Sequence, residues 1–267
     1  MYTKQDIIKQ LDSLGALRDK IVVMHTSYRK VGDFEGGPAA FLDTLIEYFT
    51  SEGGLFCIPT HTWELLGKTD LTLDMTEKYT NLGLIPRLAL AREDGVRSEN
   101  PTHSVTVFGD RKKALEFIED EKYTTTPTSP CGCFGKLFYE GGFVLLLGVT
   151  QTSNTYLHAV DEILRTPGRL EEKTLELFVR RESGEMVKRE IFMFDEQGGD
   201  ISLKFDVFAE TFAYNGATKE GKVGDAPVIL CDAVKQKNLV ERLYKVSGRD
   251  VLAENKPISP EIYKNLI

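Results

Sequence analysis

The alternation of apolar and polar positions predicts helices and strands in turn along the first part of the chain. Apolar residues recur at helical spacing over 4–17, and a short apolar run at 20–25 predicts a buried strand. A second helix, opened by Gly36-Gly37-Pro38, is predicted to about residue 50, with the proline in its first turn, where a missing N–H costs nothing. Another strand follows at 55–58. This strand–helix–strand order predicts parallel strands joined by crossover helices.

The remaining pattern predicts a mixed α/β architecture. The further elements are helices at 82–92 and 112–119, strands at 104–108 and 143–149, two β segments at 173–181 and 186–194, a helix near 202–213, a strand at 226–231 and a helix at 232–246. The polar stretch at 59–80 is predicted to be a long loop, a class of segment that is often functional. We therefore predict a single mixed α/β domain over residues 1–267. Its central, largely parallel sheet is flanked by helices and carries a β-hairpin elaboration in the second half.

Composition narrows the class of protein. Of the 267 residues, 41% are hydrophobic and 28% are charged, which is ordinary for a globular chain with a sizeable core. The net charge of −8 argues against a nucleic-acid partner and is compatible with a cationic small molecule. No apolar run approaches the roughly 20 residues of a membrane span, and the N-terminus lacks a secretory signal. We expect a cytoplasmic protein with no membrane partner.

The four cysteines are expected to be reduced thiols, and Cys57 lies within a predicted buried strand. Cys131-Gly-Cys133 lacks a second Cys or His pair nearby, so no metal site is predicted. The P-loop, dinucleotide-binding and nucleophile-elbow patterns are absent, which argues against kinases and hydrolases.

Histidine is the side chain whose ordinary pKa best suits proton transfer near neutral pH. His158 follows the strand at 143–149 through a run rich in Thr, Ser and Asn, which predicts a helix start. Helical spacing then places Thr155, His158 and either Asp161 or Glu162 on one face. A histidine with a carboxylate one turn away has the features of a general base. A capped helix with a solvated His–Asp pair would explain the same spacing.

Two other segments offer polar groups near strand ends. His25 ends the first strand and begins a polar loop that either receives an anion or nucleotide or is an ordinary turn. The segment 97–104 contains Arg97, His103 and several hydroxyls, which either bind phosphate or form a proline-containing turn. His61 is predicted to line a surface or pocket, without a chemical role.

Several segments in consistent order carry a resemblance to a known family. They are HTSYRKVG at 25–32 with GGP at 36–38, GGLFCIPT at 53–60, RSENPTHS at 97–104, SP at 129–130, VLLLGV at 144–149, NTYLHAVD at 154–161 and GKVGDA at 221–226. Together they resemble the aminoglycoside 3-N-acetyltransferases, also called the antibiotic N-acetyltransferase family. The resemblance covers most of the chain and implies a fold unlike that of the GNAT acetyltransferases.

The resemblance implies direct transfer of an acetyl group from acetyl-CoA to the 3-amino group of a 2-deoxystreptamine aminoglycoside, a reaction associated with antibiotic resistance. It implies that His158 is the general base and that Asp161, where the family usually has Glu, supports it, with Glu162 adjacent. Thr155 or a backbone N–H at the start of that helix is the candidate donor to the developing oxyanion. The alternatives are an enzyme of the same fold acting on a different amine and a non-catalytic CoA-binding relative.

The same resemblance assigns binding residues. The expected acetyl-CoA contacts are His25, Thr26, Ser27, Arg29, Val31, Gly32, Arg97, Ser98, Thr102, His103 and Ser104. In the polar loop, Glu64 and Asp74 are candidates for contact with a cationic acceptor. Oligomeric state is not predicted.

Overall fold

A computed structural model describes residues 1–68, 70–254 and 256–266, apart from the side chains of Trp63 and Glu64. Its strands are β1 Ile21–Thr26, β2 Leu55–Pro59, β3 Thr72–Asp74, β4 Val96–Arg97, β5 Val105–Phe108, β6 Phe143–Leu147, β7 Leu170–Arg180, β8 Met186–Phe194, β9 Thr218–Val223 and β10 Ala226–Asp232. Its α-helices are α1 Lys4–Leu14, α2 Gly37–Thr50, α3 Leu84–Leu90, α4 Arg111–Ile118, α5 Cys133–Tyr139, α6 Tyr156–Leu164, α7 Ala209–Tyr214, α8 Ala233–Ser247, α9 Val251–Glu254 and α10 Pro260–Tyr263. Short 3-10 helices lie at Tyr28–Lys30, Trp63–Gly67, Glu119–Tyr123, Gln151–Ser153 and Ile201–Phe208.

Seven strands form the main sheet in the order β4-β5-β2-β1-β6-β10-β9. β1 pairs in parallel with β2 and β6, while the outer pairs are antiparallel. The mixed α/β prediction is confirmed, but the parallel part is limited to the three central strands. Short connections explain two of the four antiparallel pairs, because β9 and β10 are joined by a two-residue turn and β4 and β5 by seven residues without a crossover helix. Such connections permit only antiparallel pairing.

Helices cover both faces of the sheet, which is why its central strands are continuously apolar. Val23, in the middle of β1, faces a core formed with α5, α6 and α8. Its neighbours Val22 and Met24 face the opposite core, formed with α1 and α2. The predicted first turn of α2 is confirmed, with Pro38 within it, whereas α1 stops at Leu14 because Gly15 adopts the left-handed conformation with φ 75°.

The predicted hairpin is confirmed as β7 and β8, which form a three-stranded sheet with β3. Arg189 on β8 joins the hairpin to the segment Glu121–Thr124, since its Nη2 donates to the carbonyl oxygens of Glu121 and Thr124 at 2.9 and 2.7 Å. The hairpin therefore ends with Phe194 held beside the main sheet. No helix within the described residues combines the length and apolar character needed to cross a bilayer.

Candidate functional site

The chain's four histidines converge at the edge of the sheet where the parallel strands end. His25 is the second-last residue of β1, and His61 follows the end of β2 by two residues. His103 precedes the start of β5 by two residues, and His158 lies in the first turn of α6. The rings of His61 and His103 lie 4.5 Å apart between centroids. In α/β sheets this edge is where ligands usually bind.

Phenylalanine rings join the histidines into one cluster. Phe194, at the end of β8, stacks on His158 with 4.2 Å between centroids and meets His103 edge-on at 5.3 Å. Phe205 packs edge-on against the other side of His158 at 4.9 Å. On the opposite side of the cluster, Phe134 lies 5.8 Å from His61 and 6.4 Å from His25.

This apolar packing keeps the imidazoles neutral. Burial lowers the pKa of His158 to about 4 and the pKa of both His25 and His103 to about 3. Burial also lowers the pKa of His61 well below its ordinary value. An imidazolium is costly in such surroundings, so each ring is uncharged at neutral pH. His158, half-buried on its helix, is therefore in the uncharged form, the only form that can accept a proton.

The connection from β6 to α6 positions His158. Gly148 has φ +70°, and a Cβ at that position would stand 3.1 Å from the carbonyl oxygen of Ser27. Lys30 fixes the same turn by donating from Nζ to the Gly148 carbonyl at 2.7 Å. Thr155 occupies the N-cap position of α6, and its hydroxyl makes no capping hydrogen bond.

Asp161 is held away from His158. Its Oδ2 accepts from Arg169 Nε at 2.7 Å, and its Oδ1 accepts from the Tyr244 hydroxyl at 3.2 Å. Arg169 also pairs with Asp250 at 2.7 Å. Against the effect of burial, Asp161 holds the pKa of Arg169 above its ordinary value. Within the part of the chain that the structure describes, Asp161 forms no hydrogen bond with His158, which corrects the predicted His–Asp pair.

Glu162 is likewise engaged elsewhere. One oxygen accepts from the Thr128 hydroxyl at 2.6 Å and amide at 3.1 Å, and the other accepts from the Thr126 hydroxyl. Among the described residues Glu162 does not bond to His158 either. Asp161 and Glu162 lie on the same helix as His158, as the spacing predicts. Their oxygens, however, accept hydrogen bonds from the buried Arg169 guanidinium and from a threonine-rich loop.

The end of β1 has features of a binding site. His25 Nε2 and Thr26 Oγ1 are buried and have no hydrogen-bond partner among the described residues. Ser27 lies beside them, its amide bonded to the Leu147 carbonyl at 2.8 Å. The other predicted contacts of this loop differ in exposure, since Arg29 is exposed, Gly32 is half-buried and Val31 is fully buried. Val31 therefore serves the core, which corrects its assignment as a ligand contact.

Most of the segment 97–104 forms an internal network. Ser104 Oγ donates to the Thr60 carbonyl at 2.8 Å, and Ser98 Oγ accepts from the Val105 amide at 3.0 Å. Thr102 Oγ1 lies 2.9 Å from His103 Nδ1. Arg97 donates to the carbonyl oxygens of Thr60, Asp74 and Glu77 at 3.3–3.5 Å. Arg97, Ser98, Thr102 and Ser104 thus support the loop that holds His103, and their contact with acetyl-CoA stays a prediction.

The sequence profile of the aminoglycoside 3-N-acetyltransferase family matches residues 23–245. The chain belongs to the aminoglycoside 3-N-acetyltransferase family. The family predicted from the sequence is thereby confirmed. The matched region begins within β1 and ends within α8, so it contains all four histidines.

Curated relatives are similar at low identity. An aminoglycoside N(3')-acetyltransferase-like protein, YokD, of Bacillus subtilis is 25% identical over 60% of this chain and 64% of its own length. Aminoglycoside N(3)-acetyltransferase IV of a Salmonella species is 25% identical over 62% of this chain and 61% of its own length. Aminoglycoside N(3)-acetyltransferase III of Serratia marcescens is 26% identical over 87% of this chain and 93% of its own length. The chain thus matches just under two thirds of the first two relatives and nearly all of the third.

Solved structures share the fold. The crystal structure of YokD from Bacillus subtilis has a TM-score of 0.75 at 22% identity, covering 91% of this chain and 99% of that one. The apoenzyme of aminoglycoside acetyltransferase AAC(3)-IVa has a TM-score of 0.73 at 22% identity, and the match covers 97% of this chain and 92% of that one. The predicted fold of the family, distinct from that of the GNAT enzymes, is confirmed.

The candidate acceptor contact Asp74 has partners within the chain. Asp74 is held by Arg180 at 3.0 Å and by the Thr76 hydroxyl and amide at 2.7 and 2.9 Å. These bonds fix the turn after β3, and contact of Asp74 with a cationic acceptor stays a prediction. The side chain of Glu64 lies outside the described residues.

A groove of about 950 Å³ between β4, α4 and the hairpin tip is separate from the histidine cluster, since none of the histidines lines it. Several of its basic side chains already have carboxylate partners: Arg92 pairs with Asp43 and Asp94, Arg181 with Glu99 and Glu185, Lys112 with Glu116 and Lys122 with Glu119. The positive charge of these four side chains is therefore balanced locally.

Sequence reasoning missed Phe194 as a component of the site and gave His61 no chemical role. His61 stands at the end of β2 just as His25 stands at the end of β1, and this parallel position was a usable signal. Phe194 offered no local signal, because it reaches His158 from the far end of the hairpin.

Proposed function

We propose that this chain is an acetyl-CoA-dependent N-acetyltransferase in which His158 is the general base. The observation that carries the proposal is a neutral, half-buried imidazole at the carboxyl edge of the parallel strands, in a chain of this family. A base of this kind is needed because an amine must lose a proton as its nitrogen bonds to a carbonyl carbon.

The roles of the chain's own residues follow from their positions. His158 accepts the proton that the attacking amine loses. Thr155, whose hydroxyl makes no capping bond, donates a hydrogen bond to the oxygen on which negative charge develops. Phe194 and Phe205 exclude water from the imidazole and keep it uncharged until the amine arrives. Transfer is direct in this proposal, since burial raises the pKa of the Cys57, Cys133 and Cys231 thiols. The exposed thiol of Cys131 lies against the Ser129 hydroxyl, and no base activates it among the described residues.

Acetyl-CoA supplies the acetyl group as a thioester. Its contacts are proposed at the end of β1, where His25 Nε2 and Thr26 Oγ1 offer buried polar atoms without protein partners. A ligand with amide groups would satisfy such atoms, which otherwise cost free energy. Ser27 and the exposed Arg29 continue the same loop outward, toward solvent.

The proposed acceptor is the 3-amino group of a 2-deoxystreptamine aminoglycoside. Support comes from the family and from relatives named for aminoglycosides. A second candidate, a less cationic amine, is favoured by one observation. His158 is flanked by two phenylalanine rings, while the predicted acidic contact Asp74 is tied to Arg180.

The test is release of CoA thiol by the purified chain, given acetyl-CoA and a panel of aminoglycosides and simple amines. We expect turnover with at least one aminoglycoside, with acetylation at the 3-amino group shown by mass spectrometry and NMR. Turnover with other amines alone would support the second candidate, and CoA binding without turnover would indicate a non-catalytic relative. His158→Ala should lower turnover about 100-fold or more with CoA affinity unchanged. A variant within a few-fold of wild type would contradict the assignment of the base.

A further inference from the structure

Residues 124–128, the sequence TTTPT, form hydrogen bonds with three elements of the histidine cluster and are named the threonine segment. The segment follows the 3-10 helix Glu119–Tyr123 and precedes α5. Its three partners are α6, which carries His158, the strand β8, which ends with Phe194, and the segment 97–104, which carries His103.

Glu162 makes the contact between α6 and the threonine segment. It lies one turn after His158, and its carboxylate accepts from the Thr126 hydroxyl, from the Thr128 hydroxyl at 2.6 Å and from the Thr128 amide at 3.1 Å. Thr128 is 1% exposed, and burial raises the pKa of Glu162 even though three donors face it. Hydrogen bonds to a carboxylate are strong in such surroundings, so α6 and the threonine segment are held together at this point.

The threonine segment is also bonded to β8. The Thr125 carbonyl accepts from the Phe192 amide at 2.8 Å, and the Thr124 carbonyl accepts from Arg189 Nη2 at 2.7 Å. The strand is therefore fixed two residues before Phe194. The Phe194 ring lies 4.2 Å from the His158 ring between centroids, with 15° between the two planes.

The third partner is the segment that carries His103. The Pro127 carbonyl accepts from Asn100 Nδ2 at 3.0 Å, and Asn100 Oδ1 accepts from the His103 amide at 2.8 Å. Asn100 is buried, and the His103 ring meets Phe194 edge-on at 5.3 Å. Phe194 thus lies between two histidines whose supporting elements both bond to the threonine segment.

We propose that Glu162 is a positioning residue, which through the threonine segment fixes Phe194 on the His158 ring and thereby fixes the plane of the imidazole that accepts the proton. The inference rests on the proposed function. It gives Glu162 a role different from the direct contact with His158 that helical spacing predicts, since its oxygens contact threonines. A base whose ring is already oriented loses no rate to misplacement when the amine arrives.

The experiment compares Glu162→Ala, which removes all three contacts, with Glu162→Gln, whose amide can still bond to Thr126 and Thr128. Tyr156→Phe is the matched control, because it removes a buried hydrogen bond from the same helix to the Ala233 carbonyl on α8. At a temperature where every variant is folded, we expect Glu162→Ala to lower kcat about 10-fold with the KM for acetyl-CoA within about twofold. Glu162→Gln and Tyr156→Phe should keep kcat within about threefold of wild type.

A second measurement by NMR needs no turnover. The ring current of Phe194 displaces the signals of the His158 ring protons, which are assigned by their loss in His158→Ala. The size of the displacement is the difference between wild type and Phe194→Leu. We expect Glu162→Ala to lose most of this displacement, and Glu162→Gln and Tyr156→Phe to keep it. A wild-type displacement in Glu162→Ala, or an equal loss in Tyr156→Phe, would overturn the proposal.

Thr128→Val decides the matter if Glu162→Ala does not fold. It removes only the hydroxyl contact at 2.6 Å and keeps a side chain of the same shape. We expect a partial loss of the ring-current displacement, and an unchanged displacement would contradict the role of Glu162. If wild type acetylates no amine, the proposed function fails, whereas the displacement still decides whether Glu162 places Phe194.

Discussion

Asp161→Asn separates a structural from a catalytic role for this carboxylate. Asp161 is 3% exposed and Arg169 is 10% exposed at the side chain, and their 2.7 Å contact lies beneath the helix that carries His158. Removing one partner of a buried ion pair costs about 3–5 kcal/mol, because the remaining charge stays buried. Asp250 still contacts Arg169 at 2.7 Å, so we expect the lower end of that range, about 3 kcal/mol. For a chain of this size, that loss lowers Tm by roughly 6–12 °C.

The assay is urea and thermal unfolding followed by circular dichroism, together with kcat at a temperature where both proteins are folded. Asp43→Asn is the matched control, because Asp43 pairs with Arg92 at the surface with 58% of its side chain exposed. It should cost less than about 1 kcal/mol. We expect kcat of Asp161→Asn to stay within about threefold of wild type. The reasoning would be refuted by an Asp161→Asn protein that unfolds at the wild-type urea concentration yet loses turnover about 100-fold.

Three further predictions concern the histidine cluster and the end of β1. Phe194→Leu removes the ring stacked on His158, so water reaches the imidazole and its pKa should rise from about 4 toward 6.5, measured by NMR titration. Thr26→Val should raise the KM for acetyl-CoA about 10-fold without loss of stability in urea, because the hydroxyl it removes has no partner among the described residues. His103→Gln should flatten the dependence of stability on pH. The pKa of His103 is about 3 when folded and about 6.5 when unfolded, so the unfolded chain alone binds this proton below pH 6.5. Stability conferred by neutral His103 is fully present above pH 6.5 and declines by about 1.4 kcal/mol per pH unit as the pH falls toward 3.

For each of these three predictions, one result would contradict the reasoning. A His158 pKa that stays near 4 in Phe194→Leu would show that the stacked ring does not cause the shift. Equal acetyl-CoA KM values for wild type and Thr26→Val would remove Thr26 from the binding site. For His103, the comparison is the change in unfolding free energy between pH 7.5 and 5.5. The buried carboxylates Glu121 and Glu162 have raised pKa values and act in the opposite direction in both proteins, so the difference between variant and wild type isolates the histidine. Identical slopes would contradict the prediction.

Local pattern was sufficient for many of the elements and for the position of His158 on a helix, but it did not predict β3, α5 or β9. Apolar runs identified β1, β2 and β6, and the run of capping residues before Tyr156 correctly indicated a helix carrying His158. The partner of Asp161 was not predictable from spacing. A helical period tells which residues share a face, but the choice between His158 and Arg169 depends on a guanidinium from the start of the hairpin and on Tyr244 from α8.

The convergence of the histidines was only half predictable. The ends of β1 and β6 meet because parallel neighbours end at the same edge, and this placed His25 near His158 in principle. His103 arrives there for a different reason, since it enters an antiparallel strand whose beginning lies at that edge. The extent of parallel pairing was overestimated from a pattern of apolar runs, which both kinds of buried strand share.

The position of β10 has a consequence for synthesis on the ribosome. β10 lies against β6, the strand Phe143–Leu147, yet it is made about 80 residues later. Until Ala226–Asp232 emerges, the nascent chain presents β6 as an open and highly apolar edge, the kind of surface that recruits strands from other molecules. A fragment ending at residue 224 should therefore aggregate, whereas the full chain closes this edge with its own last hairpin.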